Sequence, residues 1–132
     1  MSQRRLATAG VLALAVASLG CQKTAADCPA PPPRVCPEAG APSFEADVLP
    51  NVIVPVCQNC HAPGGTEASV PFLTYQQIYG RIGTIFTDVF ELCTMPPSNA
   101  PVPLDVEQRQ TLFDWYACGA PNDTPSDGGP GD

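Results

Sequence analysis

The chain contains a single histidine, His61, and it closes the pentapeptide Cys57-Gln58-Asn59-Cys60-His61. A C-x-x-C-H spacing is the attachment signature of c-type haem. Two thiols three residues apart reach the two vinyl groups on one edge of a porphyrin and form thioethers. The next residue then lies where its imidazole can bind the iron. Other chemistries use the same residue types. A Cys/His turn without haem would be structural only. A zinc site would recruit Cys93 or Cys118, but zinc favours two well-spaced ligand pairs and these cysteines are not so arranged. A thioredoxin-like dithiol would sit in a βαβ pattern, and none surrounds this C-x-x-C. The spacing therefore predicts one haem c per chain, held by Cys57, Cys60 and His61.

A haem bound by one histidine needs a sixth ligand or an open position. Apart from the initiator, the only methionine is Met95, in Thr94-Met95-Pro96-Pro97. A lone methionine is ordinarily core filler. Here two prolines cannot continue a helix, so the segment is expected to be extended and able to present its thioether to the iron. With no second histidine available, His61/Met95 ligation is the expectation. If Met95 did not bind or dissociated easily, the chain would read as a haem sensor or a peroxidase-like protein. With His61 committed to iron, no histidine is left to serve as acid, base or triad member. There is also no phosphate-binding glycine loop and no carboxylate pair in a recognisable context. These residues describe an electron carrier rather than an enzyme.

The elements that must position them follow a helical rhythm. Phe44, Val48, Val52 and Ile53 recur on one face, with Ser43 as N-cap and Glu45 and Asp47 in the first turn. Pro50 either kinks this helix or opens a shorter one near Leu49. Thr74 caps a short run carrying Tyr75, Ile78, Tyr79 and Ile82; Gly83 and Thr84 are expected to break it before a further short helix from Ile85 to Cys93. The last helix is capped by Asp105, with Gln108 at the capping-box position and Gly119 as a left-handed stop. It turns Leu112, Phe113, Trp115 and Tyr116 inward. No alternating run of strand length occurs, so the fold class is all-α, about four short helices around the haem.

The flanks divide the chain further. Residues 1–20 read as an export signal: Arg4 and Arg5 precede an apolar run from Leu6 to Leu19, too short to span a bilayer comfortably. The run ends in Ala17-Ser18-Leu19-Gly20-Cys21, which resembles the lipobox of bacterial lipoproteins, whose cysteine carries the lipid. Ser18 stands where that family prefers an aliphatic residue, and ordinary cleavage near Ala17 is the alternative. Residues 21–42 are Pro- and Ala-rich, with Ala30-Pro31-Pro32-Pro33 expected as an extended spacer. Residues 43–122 form the domain, and 123–132 a disordered tail. So small a domain usually needs a staple, a metal or a cofactor in its core. After signal removal, Lys23, Arg34, Arg81 and Arg109 face 13 acidic residues. That balance argues against nucleic acid as a partner and suits a redox partner with a basic docking patch.

The order of an N-terminal helix, C-x-x-C-H, short helices, M-P-P and a final helix ending Trp115-Tyr116-Ala117-Cys118-Gly119-Ala120-Pro121 resembles a small monohaem class I cytochrome c domain of the exported bacterial type. The resemblance covers residues 43 to 122. It implies thioethers at Cys57 and Cys60, a proximal His61 and a distal Met95. It also implies that the first and last helices cross, bringing Phe44 or Val48 to Trp115 or Tyr116. A backbone carbonyl near Pro71 would orient the proximal imidazole. The stretch between His61 and Met95 is short for this family, so the haem edge is expected to be more exposed than usual. The cysteines then partition: Cys21 to lipid, Cys57 and Cys60 to haem, and four to disulfides. Of the three connectivities four cysteines allow, the expected one pairs Cys93 with Cys118 and Cys28 with Cys36. The expected setting is the cell envelope, on the periplasmic face of a membrane, with a lipid anchor.

Overall fold

The computed structural model describes residues 28–123. The expected signal segment, residues 1–20, the lipid candidate Cys21 and residues 124–132 lie outside that range. The described residues form helices and no strand, so the domain is all-α.

The first helix, α1 (Phe44–Ile53), begins at Ser43, whose hydroxyl accepts the Ala46 N–H. Pro50 lies inside it. The helix is neither broken nor restarted there, because its N–H groups reach five residues back, as in Val48 N–H to Ser43 O at 3.0 Å and Val54 N–H to Leu49 O at 2.9 Å. At α-helical spacing a proline ring presses on the carbonyl four residues earlier; the wider π-helical turn relieves that contact. Phe44, Val48, Val52 and Ile53 are all buried, as the periodicity predicted.

Thr74 closes a full capping box on α2 (Tyr75–Tyr79), with Gln77 as the reciprocal partner. The chain then breaks at Gly80-Arg81, three residues earlier than the sequence suggested. Helix α3 (Ile82–Phe86) runs through Gly83 and Thr84 and is continued by a π-helical stretch, Thr87–Glu91. The last helix, α4 (Val106–Ala117), carries the predicted box between Asp105 and Gln108 and ends before Gly119, which has φ 88°.

Helices α1 and α4 make the main packing of the domain. Phe44 and Trp115 rings lie 5.5 Å apart, and Tyr75 of α2 meets Phe44 edge-on at 5.2 Å. Trp115 is wholly buried, and its indole N–H donates to Pro121 O at 2.9 Å. The Tyr75 hydroxyl donates to Ala120 O at 2.8 Å. The polar tips of both aromatics therefore fasten the turn after α4, and burial leaves none of their donors unpaired. Each large side chain buried here contributes roughly 1.5–3 kcal/mol.

The N-terminal segment corrects one expectation. Cys28 is bonded to Cys93 and Cys36 to Cys118; the expected pairs Cys93–Cys118 and Cys28–Cys36 do not form. Four prolines, Pro29, Pro31, Pro32 and Pro33, lie between Cys28 and Cys36. An extended polyproline path of that length separates its ends by about 25 Å, whereas the observed bridges have Cα–Cα distances of 5.6 and 4.6 Å. The proline run thus opposes a local loop and delivers the two cysteines to separate places on the domain. Arg34 adds to the attachment: its guanidinium lies 4.1 Å from the Phe86 ring centre and 4.8 Å from that of Tyr116. Its ion pair with Glu91, at 3.9 Å, joins two exposed groups and adds at most about 1 kcal/mol. Residues 28–36 are therefore part of the domain rather than a free spacer.

Asp123, assigned to the tail by the sequence, is also fastened. Its carboxylate accepts the Ser43 hydroxyl at 2.7 Å and the Glu45 N–H at 2.6 Å, which caps α1 from outside. The Ser43 hydroxyl bond, followed by the backbone N–H of Glu45, holds the Asp123 carboxyl below the usual aspartate range. A folded value below the unfolded one means this stabilisation is present above the unfolded value, about 3.8, and is lost as pH falls through the folded value. Asp123→Asn is expected to flatten the acid limb of stability. Urea midpoints of parent and variant should converge as pH falls from about 6 through the folded value of Asp123; parallel curves would remove the assigned role.

Candidate functional site

The C-x-x-C-H motif leaves α1 in a 3-10 turn, Cys57–Asn59. Cys57 O accepts the N–H groups of Cys60 (3.2 Å) and His61 (2.9 Å), which winds the motif back on itself. The two residues between the cysteines are both used to hold that turn. Gln58 Nε2 donates to Phe72 O at 2.8 Å, and Asn59 Nδ2 donates to Pro55 O and Val56 O. The return strand of the loop is fixed by Glu67 N–H to Cys60 O (2.9 Å) and Phe72 N–H to His61 O (2.8 Å).

His61 is held on two sides. Its ring stacks on Phe72 with centroids 4.3 Å apart and planes 11° from parallel. Its Nδ1 lies 2.9 Å from Val70 O. A carbonyl only accepts, so Nδ1 carries the proton there and Nε2 keeps its lone pair. That tautomer leaves Nε2 available to a metal, with Nδ1 held by a backbone carbonyl. The carbonyl sought near Pro71 is thus the one immediately before it, and the proline fixes the backbone that aims it.

Gly65 is forced by the closeness of this loop. A Cβ there would overlap the Cys60 carbonyl. Backbone cannot yield as a flexible side chain would, so Gly65→Ala is expected to cost about 1–3 kcal/mol and to shift the Cys60-His61 peptide. A denaturant midpoint unchanged from the parent would refute it.

Cys57, Cys60, His61 and Met95 all line one cleft, partly open to solvent. Its walls are mostly apolar: Ile53 at the end of α1, Val56 just beyond it, Phe72, Val89, and Leu112 of α4. Met95, followed by Pro96 and Pro97, borders it from the loop after α3 and remains 36% exposed. Met95 and Thr94 both donate their N–H groups to Asp88 O, at 3.1 and 2.8 Å. The structure therefore brings together all four residues that the sequence singled out for a cofactor.

Cys57 and Cys60 are thiols, whereas the other four cysteines of the described chain are paired. Burial, together with the neighbouring Cys60, pushes the Cys57 thiol up to about 12, against a smaller opposing hydrogen bond. With no metal beside it, this thiol is protonated at neutral pH and not a ready redox nucleophile. The zinc reading loses its other ligands, because Cys93 and Cys118 are spent on disulfides. Among the described residues, no group of three or more His, Cys, Asp or Glu side chains is arranged to share a metal ion.

The sequence did not single out the polar lining of the cleft. Arg81, Thr84 and Asp88 face it from the α3 region. Their spacing of three and four residues is a helical stripe, and it was the available signal. No protein-family model, curated protein or solved structure matches the chain.

Proposed function

We propose that the protein is a one-electron carrier holding a single haem c in this cleft, exported and tethered in the cell envelope through a lipid on Cys21. The observation that carries the proposal is the convergence of two free thiols, an imidazole with Nε2 left available and one methionine on a single apolar cleft. Haem, when bound, supplies an iron that alternates between ferrous and ferric states. Cys57 and Cys60 hold the porphyrin covalently. His61 ligates through Nε2 while Val70 O and the Phe72 ring prevent the imidazole from turning. Met95 supplies a soft sulfur that favours the ferrous state and raises the potential relative to a second histidine. The aliphatic walls exclude water and disfavour the added positive charge of the oxidised centre, which acts in the same direction. The acidic surface suits a partner with a basic docking patch.

The mature protein and its Met95→Ala variant test this. Both are expected to retain covalent haem on a denaturing gel. The variant should lose the weak red-edge sulfur-to-iron band of the ferric state and fall in midpoint potential. A variant that keeps the low-spin spectrum and the potential of the parent would show that Met95 is not the ligand. A high-spin spectrum in the parent would instead favour the sensor or peroxidase-like alternative.

A further inference from the structure

Residues 93–103, which include Met95, have few attachments to the rest of the described chain. Their hydrogen bonds to it converge on one carbonyl, Asp88 O, and on the side chain of Arg109. The covalent attachment is Cys28–Cys93, two residues from Met95. Cys93 is held in the left-handed region, φ 51°, a conformation that non-glycine residues keep where surrounding bonds enforce it. Arg109 Nη2 lies 3.5 Å from Cys93 Sγ, and its guanidinium lies over the Phe90 ring at 4.9 Å. A fixed cation beside one sulfur of a disulfide stabilises the negative charge that develops there as the S–S bond breaks. Both cysteines are partly exposed, within reach of a small thiol. The second bridge, Cys36–Cys118, ties the N-terminal segment to the end of α4 and holds no part of the Met95 loop.

We propose that Cys28–Cys93 is a thiol–disulfide exchange site for a dithiol reductant, and that its opening releases Met95 from the cleft; the second half of this inference rests on the proposed haem ligation. The chemistry balances without any other reagent. One thiolate of the dithiol attacks Cys28 Sγ, the S–S bond breaks, and the electron pair leaves with Cys93 Sγ beside Arg109. The second thiol of the reductant then attacks the mixed disulfide and frees Cys28. The protein gains two electrons and two protons, and the dithiol becomes a disulfide. With the bridge open, the only hydrogen bonds left between the Met95 loop and the rest of the described chain are those to Asp88 O and Arg109, and the cleft becomes accessible to a small neutral ligand at the position Met95 had filled.

The test treats the purified protein with dithiothreitol over a time course and reads three quantities. Peptide mapping after alkylation gives the fraction of each bridge opened. Hydrogen exchange gives the protection of residues 92–101. Carbon monoxide binding to the ferrous protein gives access to the sixth position. Loss of protection and the gain in carbon monoxide binding rate are expected to follow the opening of Cys28–Cys93 and not that of Cys36–Cys118. Cys28→Ser should show both changes without reductant. Arg109→Gln should slow the opening of Cys28–Cys93 several-fold and leave Cys36–Cys118 unaffected, while Arg109→Lys restores much of the rate. Exchange and carbon monoxide binding that follow Cys36–Cys118, or neither bridge, would overturn the proposal, as would equal rates in the Arg109 variants. A chain without haem would defeat the functional reading instead, and the mapping and exchange measurements would still decide whether this bridge controls the loop.

Discussion

Replacing Cys57 and Cys60 together with serine is expected to abolish haem staining on a denaturing gel and to remove the mass of one haem from the mature chain. The effect should be complete, because thioether bonds survive denaturation, whereas the proposed axial bonds from His61 and Met95 would not. The polypeptide should remain helical by circular dichroism. Its main packing, Phe44 with Trp115 and Tyr75, lies where α1 meets α4 and α2, and none of the three borders the cleft. The two disulfides also remain. The double variant thereby separates attachment from folding. Staining that persists would mean that C-x-x-C-H is not the point of attachment. A chain that unfolds would mean that the cofactor, and not the helix pair, makes most of the core.

The second large effect concerns stability. Removing Cys36–Cys118 by a double alanine substitution opens a loop with a sequence separation of 82. With Cys28–Cys93 still closed, however, the path is only the 8 residues from Cys28 to Cys36 and the 25 from Cys93 to Cys118. Chain entropy alone assigns a loop of that length about 3.5–4 kcal/mol, a large part of the whole stability of many small domains, about 5–15 kcal/mol. In a domain of this size the expected fall in melting temperature is roughly 15–30 °C, measured in the absence of reductant. The packing of Arg34 on Phe86 and Tyr116 survives the substitution but is too weak to compensate. A fall of only a few degrees would indicate that the unfolded chain stays compact around the same aromatic residues.

Local signals in the sequence proved readable. The box between Asp105 and Gln108, the Thr74 cap, the Ser43 cap and the inward face of α1 all depend on neighbours within one helical turn, and all are present. Gly83 misled because a glycine in a helix is only a propensity cost of about 1 kcal/mol. Nothing lies within 4 Å of a Cβ built there, so no packing demands a break, and the chain turns at Gly80 instead. The disulfide pairing was not readable, since it depends on where the proline segment runs across α3 and α4 and on the aromatic seat of Arg34. At the site, C-x-x-C-H and Met95 announced themselves by residue type. The carbonyl that fixes the imidazole, Val70 O, and the need for Gly65 did not, because any residue has a carbonyl and the contact appears only once the loop is closed.

The staple at Cys28 also decides where the domain meets mechanical tension. A pull on the chain ahead of residue 28 enters at Cys28 and crosses by the bridge to Cys93, two residues from Met95. Only what this link lets through reaches the second bridge at the end of α4. With both bridges closed, the rim of the cleft is the first part of the domain to take up the tension. With Cys28–Cys93 open, the point of attachment moves to the far end of α4, and the rim is relieved of it.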